Sequence, residues 1–291
     1  MPDIPTDAII PALAAIADEV ILPRYQALHD GEVEEKSPGE LVTVADREAE
    51  VRIAEVLRGL RPDATVIGEE AVEATPGLLD ALKTDGTCWL IDPLDGTQNF
   101  VDGRRAFAVM VALVEAGETV GSWVWLPLDR VAYVAERGSG AYRNGVRQQV
   151  PPSPFAQMEL RGAVDGAFLD AEQKAALAAL RGAVLGKFLS PEQRAAVAAA
   201  AARFGEIGRG QYCAGIEYPL IVEGRQEFVR FHRLRPWDHA PGTLYLAEAG
   251  GYVRRWDGTP YSPGTDGIGL LGAANETVWQ LVREALGPAI G

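Results

Sequence analysis

The residues with the clearest chemistry in this chain lie in WLIDPLDGTQNF, residues 89–100. An apolar run delivers two aspartates, Asp92 and Asp95, and then breaks into Gly96 and Thr97 at a predicted helix start. Pro93 pushes Asp92 out of the α region and leaves it extended at a strand end, with Asp95 on the turn that follows. Gly96 lets the backbone approach a ligand, and the N–H groups beyond it can receive an anion. Two carboxylates facing an anion cradle repel the anion unless cations lie between. The chemistry spelled out is Mg²⁺-dependent phosphoryl transfer or phosphate-ester hydrolysis.

Three more carboxylates occupy comparable places. TVIGEEA reads as a short strand ending in Glu69 and Glu70, and Asp238 stands at another helix start. Strand ends and helix starts are where α/β folds collect their ligands. At an effective dielectric near 20, two like charges about 4 Å apart cost roughly 4 kcal/mol. Convergence of Glu69, Asp92, Asp95 and Asp238 therefore requires divalent cations or strongly raised pKa values. Hard oxygen donors, without clustered cysteine or histidine, favour Mg²⁺. His29, His232 and His239 lack metal-ligand spacing, and His239 reads as a helix-start residue rather than a base. The GSG and GRG turns at 138–140 and 208–210 are not phosphate fingerprints, and no serine nucleophile elbow is present.

These groups must be carried by elements. Apolar residues recur at Ile9, Ile10, Leu13, Ile16, Ala17 and Val20, predicting an amphipathic helix over 7–28 with Pro23 near its end. Residues 29–40 form a polar, turn-rich loop whose Lys36 either reaches over a neighbouring pocket or is solvated. Residues 41–60 pass from β-branched residues into a helical period, with Asp46 near the helix start, where it favours the dipole. Residues 75–86 read as a loop, and 106–145 as an antiparallel meander with Trp123 and Trp125 in the core. VPPSP, 150–154, separates an N-terminal α+β half, 1–150, from a C-terminal α/β half, 151–291, packed as one unit. The second half opens with a near-repeat, 160–179 and 180–198, read as a tandem insertion that adds one helix, with helix starts at Asp170 and Ser190. A helix over 213–224, a strand over 225–233, two more strands and a last helix capped by Asn275 complete the chain.

At 291 residues with 47 % hydrophobic content, the chain has ample material for a large core. Its net charge of -14 argues against a nucleic-acid backbone or an anionic membrane as main partner. Two cysteines, Cys88 and Cys213, make neither a disulfide framework nor a thiolate site. With no cleavable leader pattern and no long apolar span, the expected location is the cytoplasm.

GEE at 68–70, DPLDGTQNF at 92–100 and WDHAPG at 237–242, with LVTVAD at 41–46 upstream, resemble the signature blocks of the inositol monophosphatase family of Mg²⁺-dependent, lithium-sensitive phosphomonoesterases. The resemblance covers nearly the whole chain. It implies an α/β (α+β) fold, the layered α/β/α/β/α sandwich shared with fructose-1,6-bisphosphatase, commonly as a homodimer, with two or three Mg²⁺ ions per site. Carried over, it makes Glu69, Asp92 and the carbonyl of Leu94 ligands of one metal, and Asp92, Asp95 and Asp238 ligands of a second. Thr97, paired with Asp46, would activate the attacking water, with Glu70 helping through the outer shell of a metal. Gly96 and Thr97 N–H groups would hold the phosphate, and Cys213 and Ala214 would line the substrate pocket.

The chain departs from the family at Phe231, where inositol-specific members carry a glutamate that contacts substrate hydroxyls, and around Glu217, Tyr218 and Pro219. Arg233 and Arg235 could meet a second phosphate or a carboxylate, or be exposed strand charges. The leading expectation is a phosphatase acting on a small soluble phosphomonoester. The alternatives are a nucleotide phosphatase of the 3′-phosphoadenosine 5′-phosphate type, a histidinol-phosphate phosphatase, and a non-catalytic relative that binds metal and phosphate.

Overall fold

The computed structural model describes residues 6–152, 181–184, 190–192, 195, 206–208 and 210–290. Most of the near-repeat over 160–198, including the helix start at Asp170, lies outside the described residues; within it, Arg181–Val184 is a strand. The first helix, α1 (Thr6–Ile16), stops earlier than its apolar pattern suggests and passes into a π turn, Ala17–Ile21, and a 3-10 turn, Leu22–Arg24, that contains Pro23. The polar segment after it is a hairpin, β1 (Val33–Ser37) and β2 (Glu40–Thr43), rather than a loop. Helix α2 (Val44–Leu60) follows directly.

A seven-stranded sheet forms the first large layer. In spatial order it runs β3 (Thr65–Gly68), β4 (Thr87–Asp95), β5 (Ala108–Glu115), β6 (Glu118–Leu126), β7 (Val131–Glu136), β8 (Gly140–Arg143) and β9 (Val146–Gln148). Only β3 and β4 are parallel; the rest is the expected meander. Between β3 and β4 come α3 (Glu69–Ala74) and a 3-10 helix, Pro76–Lys83, where a loop was expected. Helix α4 (Thr97–Val101) leaves the end of β4.

The second sheet has the order β11 (Glu206–Gly208), β10 (Arg181–Val184), β12 (Phe228–Arg233), β14 (Ile268–Ala273), β13 (Tyr252–Arg255). Helices α5 (Ala214–Val222) and α6 (Pro236–Glu248) lie between the two sheets, and α7 (Glu276–Ile290) covers the outer face of the second. Asn275 caps α7 as expected, its Oδ1 accepting from Val278 N at 3.0 Å.

The period-two alternation of the strands decides which side chains meet which layer. Trp89, Ile91, Val109, Val111 and Trp123 face α1 and α2, with Trp89 and Trp123 rings 5.7 Å apart. The alternate residues Ala108, Met110 and Val124 face Tyr218 of α5 and Leu244 of α6, and Val229 and Phe231 of the second sheet join the same cluster. The layers are thus α/β/α/β/α. The apolar cluster shared by both sheets brings the C-terminal end of β4 opposite the start of α6.

Candidate active site

Pro93 explains how β4 presents its aspartates. A proline donates no ladder hydrogen bond, and the β4–β5 register shifts between Asp92 and Asp95. Both residues still belong to the strand, so Asp95 is its last residue rather than part of a following turn. The bulge re-aims the two carboxylates. Asp92 Oδ1 accepts from Leu94 N at 3.0 Å, and Asp95 Oδ2 accepts from Gly215 N at 2.7 Å at the start of α5. Gly96 then takes φ +89°, and a Cβ there would lie 2.6 Å from the carbonyl oxygen of Ala106. Only glycine fits this junction.

Helix α2 supplies two of the site's acids from one face. Thr43 and Asp46 form a capping box: Asp46 Oδ2 accepts from Thr43 N at 2.8 Å and from Thr43 Oγ1 at 2.6 Å. The other oxygen, Oδ1, lies 3.0 Å from Thr97 Oγ1, which is also 3.0 Å from the carbonyl oxygen of Leu94. One turn later Glu50, absent from the sequence-derived site, reaches across to α3. Its two oxygens accept from Glu70 N at 2.8 Å and Ala71 N at 2.9 Å. Glu69 and Glu70 therefore sit in the first turn of a helix, not at a strand end, and Glu50 caps that helix from outside. Gly68 makes room: a Cβ there would lie 2.2 Å from the Glu50 carboxyl carbon. The i,i+4 spacing of Asp46 and Glu50 was the available signal.

The cations also differ from expectation. Lys36 is on β1, nearly buried, and donates to Glu69 at 3.1 Å and Glu70 at 2.7 Å. Burial would lower its pKa, but the two glutamates outweigh that and hold it charged. Arg235 donates to Glu69 at 3.1 Å and, with Arg233, pairs with Glu40 of β2. Arg235 is thus part of the acid cluster, not an exposed strand charge, while Arg233 keeps 41 % of its side chain exposed at the rim.

A cavity of about 440 Å³ joins these pieces. Its walls include Glu69, Asp92, Leu94, Asp95, Gly96, Thr97, Ala214 and Asp238. Asp46 lies buried behind Thr97, and Glu70 is directed to Lys36. Cys213 does not line the cavity: it is fully buried, its thiol 3.6 Å from the carbonyl oxygen of Asp95. The aromatic floor is Phe231, stacked on Tyr218 at 5.1 Å and 4.6 Å from the ring of His239. His239 Nε2 must donate to the carbonyl oxygen of Arg233 at 2.7 Å, so its Nδ1 accepts from the Tyr218 hydroxyl at 3.1 Å. Burial lowers its pKa to about 4 and keeps it neutral, as a helix-start residue.

Electrostatically the cavity is an acid cluster short of positive charge. Burial raises Asp46 to about 7, against the two Thr43 hydrogen bonds and with help from Glu69 and Glu70. Burial likewise raises Glu50 to about 7 and Asp95 to about 6. Asp92 and Asp238 are pushed well above the carboxylate range, first by burial and then by neighbouring acids. Among the described residues no three acidic, imidazole or thiol groups form a preformed metal cage, and Glu69 is drawn instead to Lys36 and Arg235. The donor set nevertheless fits a hard divalent cation. All its donors are oxygen, and a cation would offset the burial and repulsion that raise Asp92 and Asp238.

A pH dependence follows. A carboxylate whose folded pKa lies above its unfolded value adds stability below the unfolded value and loses it as pH rises through the folded one. For Glu50, raised from 4.5 to about 7, the loss is about 3 kcal/mol. The Tm of metal-free protein is expected to fall between about pH 5 and pH 8. A Tm that climbs over that interval in the presence of chelator would contradict this account of the acid cluster.

The inositol monophosphatase family model matches residues 5–286. The inositol-1-monophosphatase of Rhizobium meliloti is 33% identical over 254 residues, covering 86% of this chain and 84% of the relative. The 3′(2′),5′-bisphosphate nucleotidase CysQ of Escherichia coli is 29% identical over 261 residues, covering 86% and 92%. The solved inositol monophosphatase of Thermotoga maritima superposes with a TM-score of 0.76 at 25% identity, over 98% of each chain. Family members are phosphatases that use divalent metal ions. The fold, the acid cluster around the end of β4 and these matches lead to one conclusion, that the chain belongs to the inositol monophosphatase family.

Proposed function

We propose that this phosphatase hydrolyses a small soluble phosphomonoester with two or three Mg²⁺ ions, as a cytoplasmic homodimer, and that its substrate carries a second anionic group. The observation that carries the catalytic reading is the hydrogen-bonded line from Asp46 through Thr97 to the cavity that Asp92, Asp95 and Asp238 also face. No helix among the described residues is long and apolar enough to cross a membrane.

Glu69, Asp92 and the carbonyl oxygen of Leu94 would hold one ion, and Asp92, Asp95 and Asp238 another. Bound there, the ions would neutralise the phosphate and leaving oxygen and acidify a water. The residues of the chain would do the rest. Thr97 has one hydroxyl hydrogen and two acceptors within reach, Asp46 Oδ1 and the Leu94 carbonyl. When the Leu94 carbonyl is engaged elsewhere, that hydrogen turns to Asp46, leaving the Thr97 oxygen free to accept from the attacking water. A threonine hydroxyl is a poor base alone; the carboxylate behind it makes the arrangement competent to orient the water and relay its proton. Glu70 would act on the outer shell of a metal. N–H groups of Gly96 and Thr97, at the start of α4, would hold the phosphate. Water attacks directly, with no covalent intermediate.

The rim supports the substrate reading. Phe231 is buried and stacked, so it offers substrate hydroxyls no hydrogen bond, and Arg233, paired with Glu40, keeps 41 % of its side chain exposed in the same cavity wall. An ester with a second phosphate, of the nucleotide type, suits this rim better than a polyol. The retained Thr97–Asp46 contact argues against the non-catalytic reading.

The test compares phosphate release from inositol 1-phosphate, adenosine 3′,5′-bisphosphate, fructose 1,6-bisphosphate and histidinol phosphate, with Mg²⁺ and after chelation. Release is expected only with Mg²⁺. A charged hydrogen bond is worth about 1.5–3 kcal/mol, so the adenosine bisphosphate should lead inositol phosphate by roughly tenfold or more in kcat/KM. Undiminished turnover in chelator would remove the metal mechanism, and a preference for inositol phosphate would remove the substrate reading.

A further inference from the structure

We infer that Tyr212 is a specificity-determining residue, an aromatic platform held against the phosphate cradle to stack on a flat ring in the leaving group, such as a nucleobase. The inference rests on the phosphatase reading above and narrows its substrate to ring-bearing esters. Tyr212 has φ +54°, a region that bulky L side chains avoid. Among the described residues five non-glycine positions have positive φ, and Tyr212 is the one that lines the active-site cavity.

The strained residue is held by its neighbour. The carbonyl of Gln211 accepts from Asn99 Nδ2 at 2.7 Å, and the N–H of Gln211 donates to Glu217 Oε1. Both partners are buried and committed. Asn99 Nδ2 also donates to the carbonyl oxygen of Ala106 at 2.7 Å, and Glu217 Oε2 accepts from Gln226 Nε2 at 2.9 Å. Asn99 belongs to α4, two residues beyond Thr97, and Glu217 belongs to α5, two residues beyond the Gly215 that holds Asp95. The backbone of Gln211, just before Tyr212, is therefore fixed to the helix that follows Gly96 and to the helix whose Gly215 holds Asp95.

A loop that had only to connect β11 to α5 would relieve the strain with glycine at 212, as it does at Gly210, φ +72°. Instead it keeps a half-buried phenol whose hydroxyl has no hydrogen bond among the described residues. Strain concentrated in a cavity wall is characteristic of ligand-contacting positions. The ring is accompanied in the cavity wall by Gln98 and Arg104 from the α4 side. An aromatic face and a guanidinium in one cavity wall suit a planar, electron-rich ring.

The test uses Tyr212→Gly, which removes the ring and takes φ +54° without strain, and Tyr212→Phe, which keeps the ring. Steady-state rates with Mg²⁺ are measured on adenosine 3′,5′-bisphosphate and on glycerol 2-phosphate, which has no ring. Tyr212→Gly should lower the ratio of kcat/KM for the two esters about tenfold, through KM of the adenosine ester, and Tyr212→Phe should restore the parent ratio. A ratio unchanged in Tyr212→Gly, whether both rates fall together or neither moves, overturns the inference. If the parent hydrolyses neither ester, the phosphatase reading fails separately, and calorimetric titration of adenosine 3′,5′-bisphosphate decides the role of the ring. Binding about tenfold weaker in Tyr212→Gly than in the parent supports it. Equal binding, or none to the parent, overturns it.

Discussion

Asp95→Asn is expected to lower phosphate release by about a thousandfold or more, while the metal-free variant unfolds at the parent temperature or above it. Asp95 is 9 % exposed and carries its charge into a cavity that also holds Asp92, Asp238 and Glu69. Asparagine is nearly isosteric and can still accept the hydrogen bond from Gly215 N, so the start of α5 keeps its anchor. What disappears is one negative charge. In the metal-free protein that relieves repulsion, since burial and Glu69 already push this carboxyl up to about 6. For the loaded enzyme it removes a ligand charge, and several kcal/mol of transition-state stabilisation depend on such charges. Two measurements check this: initial rates at saturating Mg²⁺, and Tm with and without Mg²⁺. The Mg²⁺-induced rise in Tm should shrink in the variant, because a ligand stabilises by RT ln(1 + [L]/Kd), which falls as Kd rises. Activity within tenfold of the parent would exclude Asp95 as a metal ligand.

The second large effect concerns the dyad. Thr97→Val should reduce kcat by roughly 10²–10⁴, the usual range for a positioned proton-transfer group, with KM and Mg²⁺ affinity near parental values. Valine fills the same volume. It leaves Asp46 its two hydrogen bonds from Thr43 but breaks the contact at 3.0 Å to Oδ1. Asp46→Asn should cost a similar factor, because an amide cannot take up a proton relayed from Thr97. If the two act as one unit, the double variant should be hardly worse than either single one. Losses that multiply would mean independent roles and would end the relay account.

The cations around Glu69 place a constraint on both experiments. Lys36 and Arg235 pair with Glu69, so a metal held by this glutamate, as proposed, would have to compete with two charge-assisted hydrogen bonds. Glu69 is also fixed from behind, because Glu50 caps the helix on which it stands. On the proposed ligand set, Mg²⁺ affinity would therefore depend on residues outside it, on β1 and α2.

Much of this was legible in the sequence, for physical reasons that can be named. The acid at the end of an apolar run, the proline that breaks its ladder and the glycine that must take positive φ are local requirements, so Asp92, Asp95, Gly96 and the start of α4 could be read from residues 89–100 alone. Asp46 was marked by its place near a helix start, and the meander with Trp123 and Trp125 by period-two alternation. Side-chain partners far apart in the chain were not legible. Spacing could not show that Lys36 turns inward to Glu69 and Glu70, that Arg235 joins the acid cluster, or that Cys213 packs beneath Asp95 rather than lining the pocket. Glu50 and the pair Asn99 and Glu217 were missed for the same reason, since each acts on backbone groups of another element. The chain's local chemistry determined the family and the reaction, because the conformations involved are set within a few residues. Tertiary packing alone decided how the acids are neutralised and what shape the substrate wall takes, because those depend on which of many possible long-range partners the layers bring within hydrogen-bond distance.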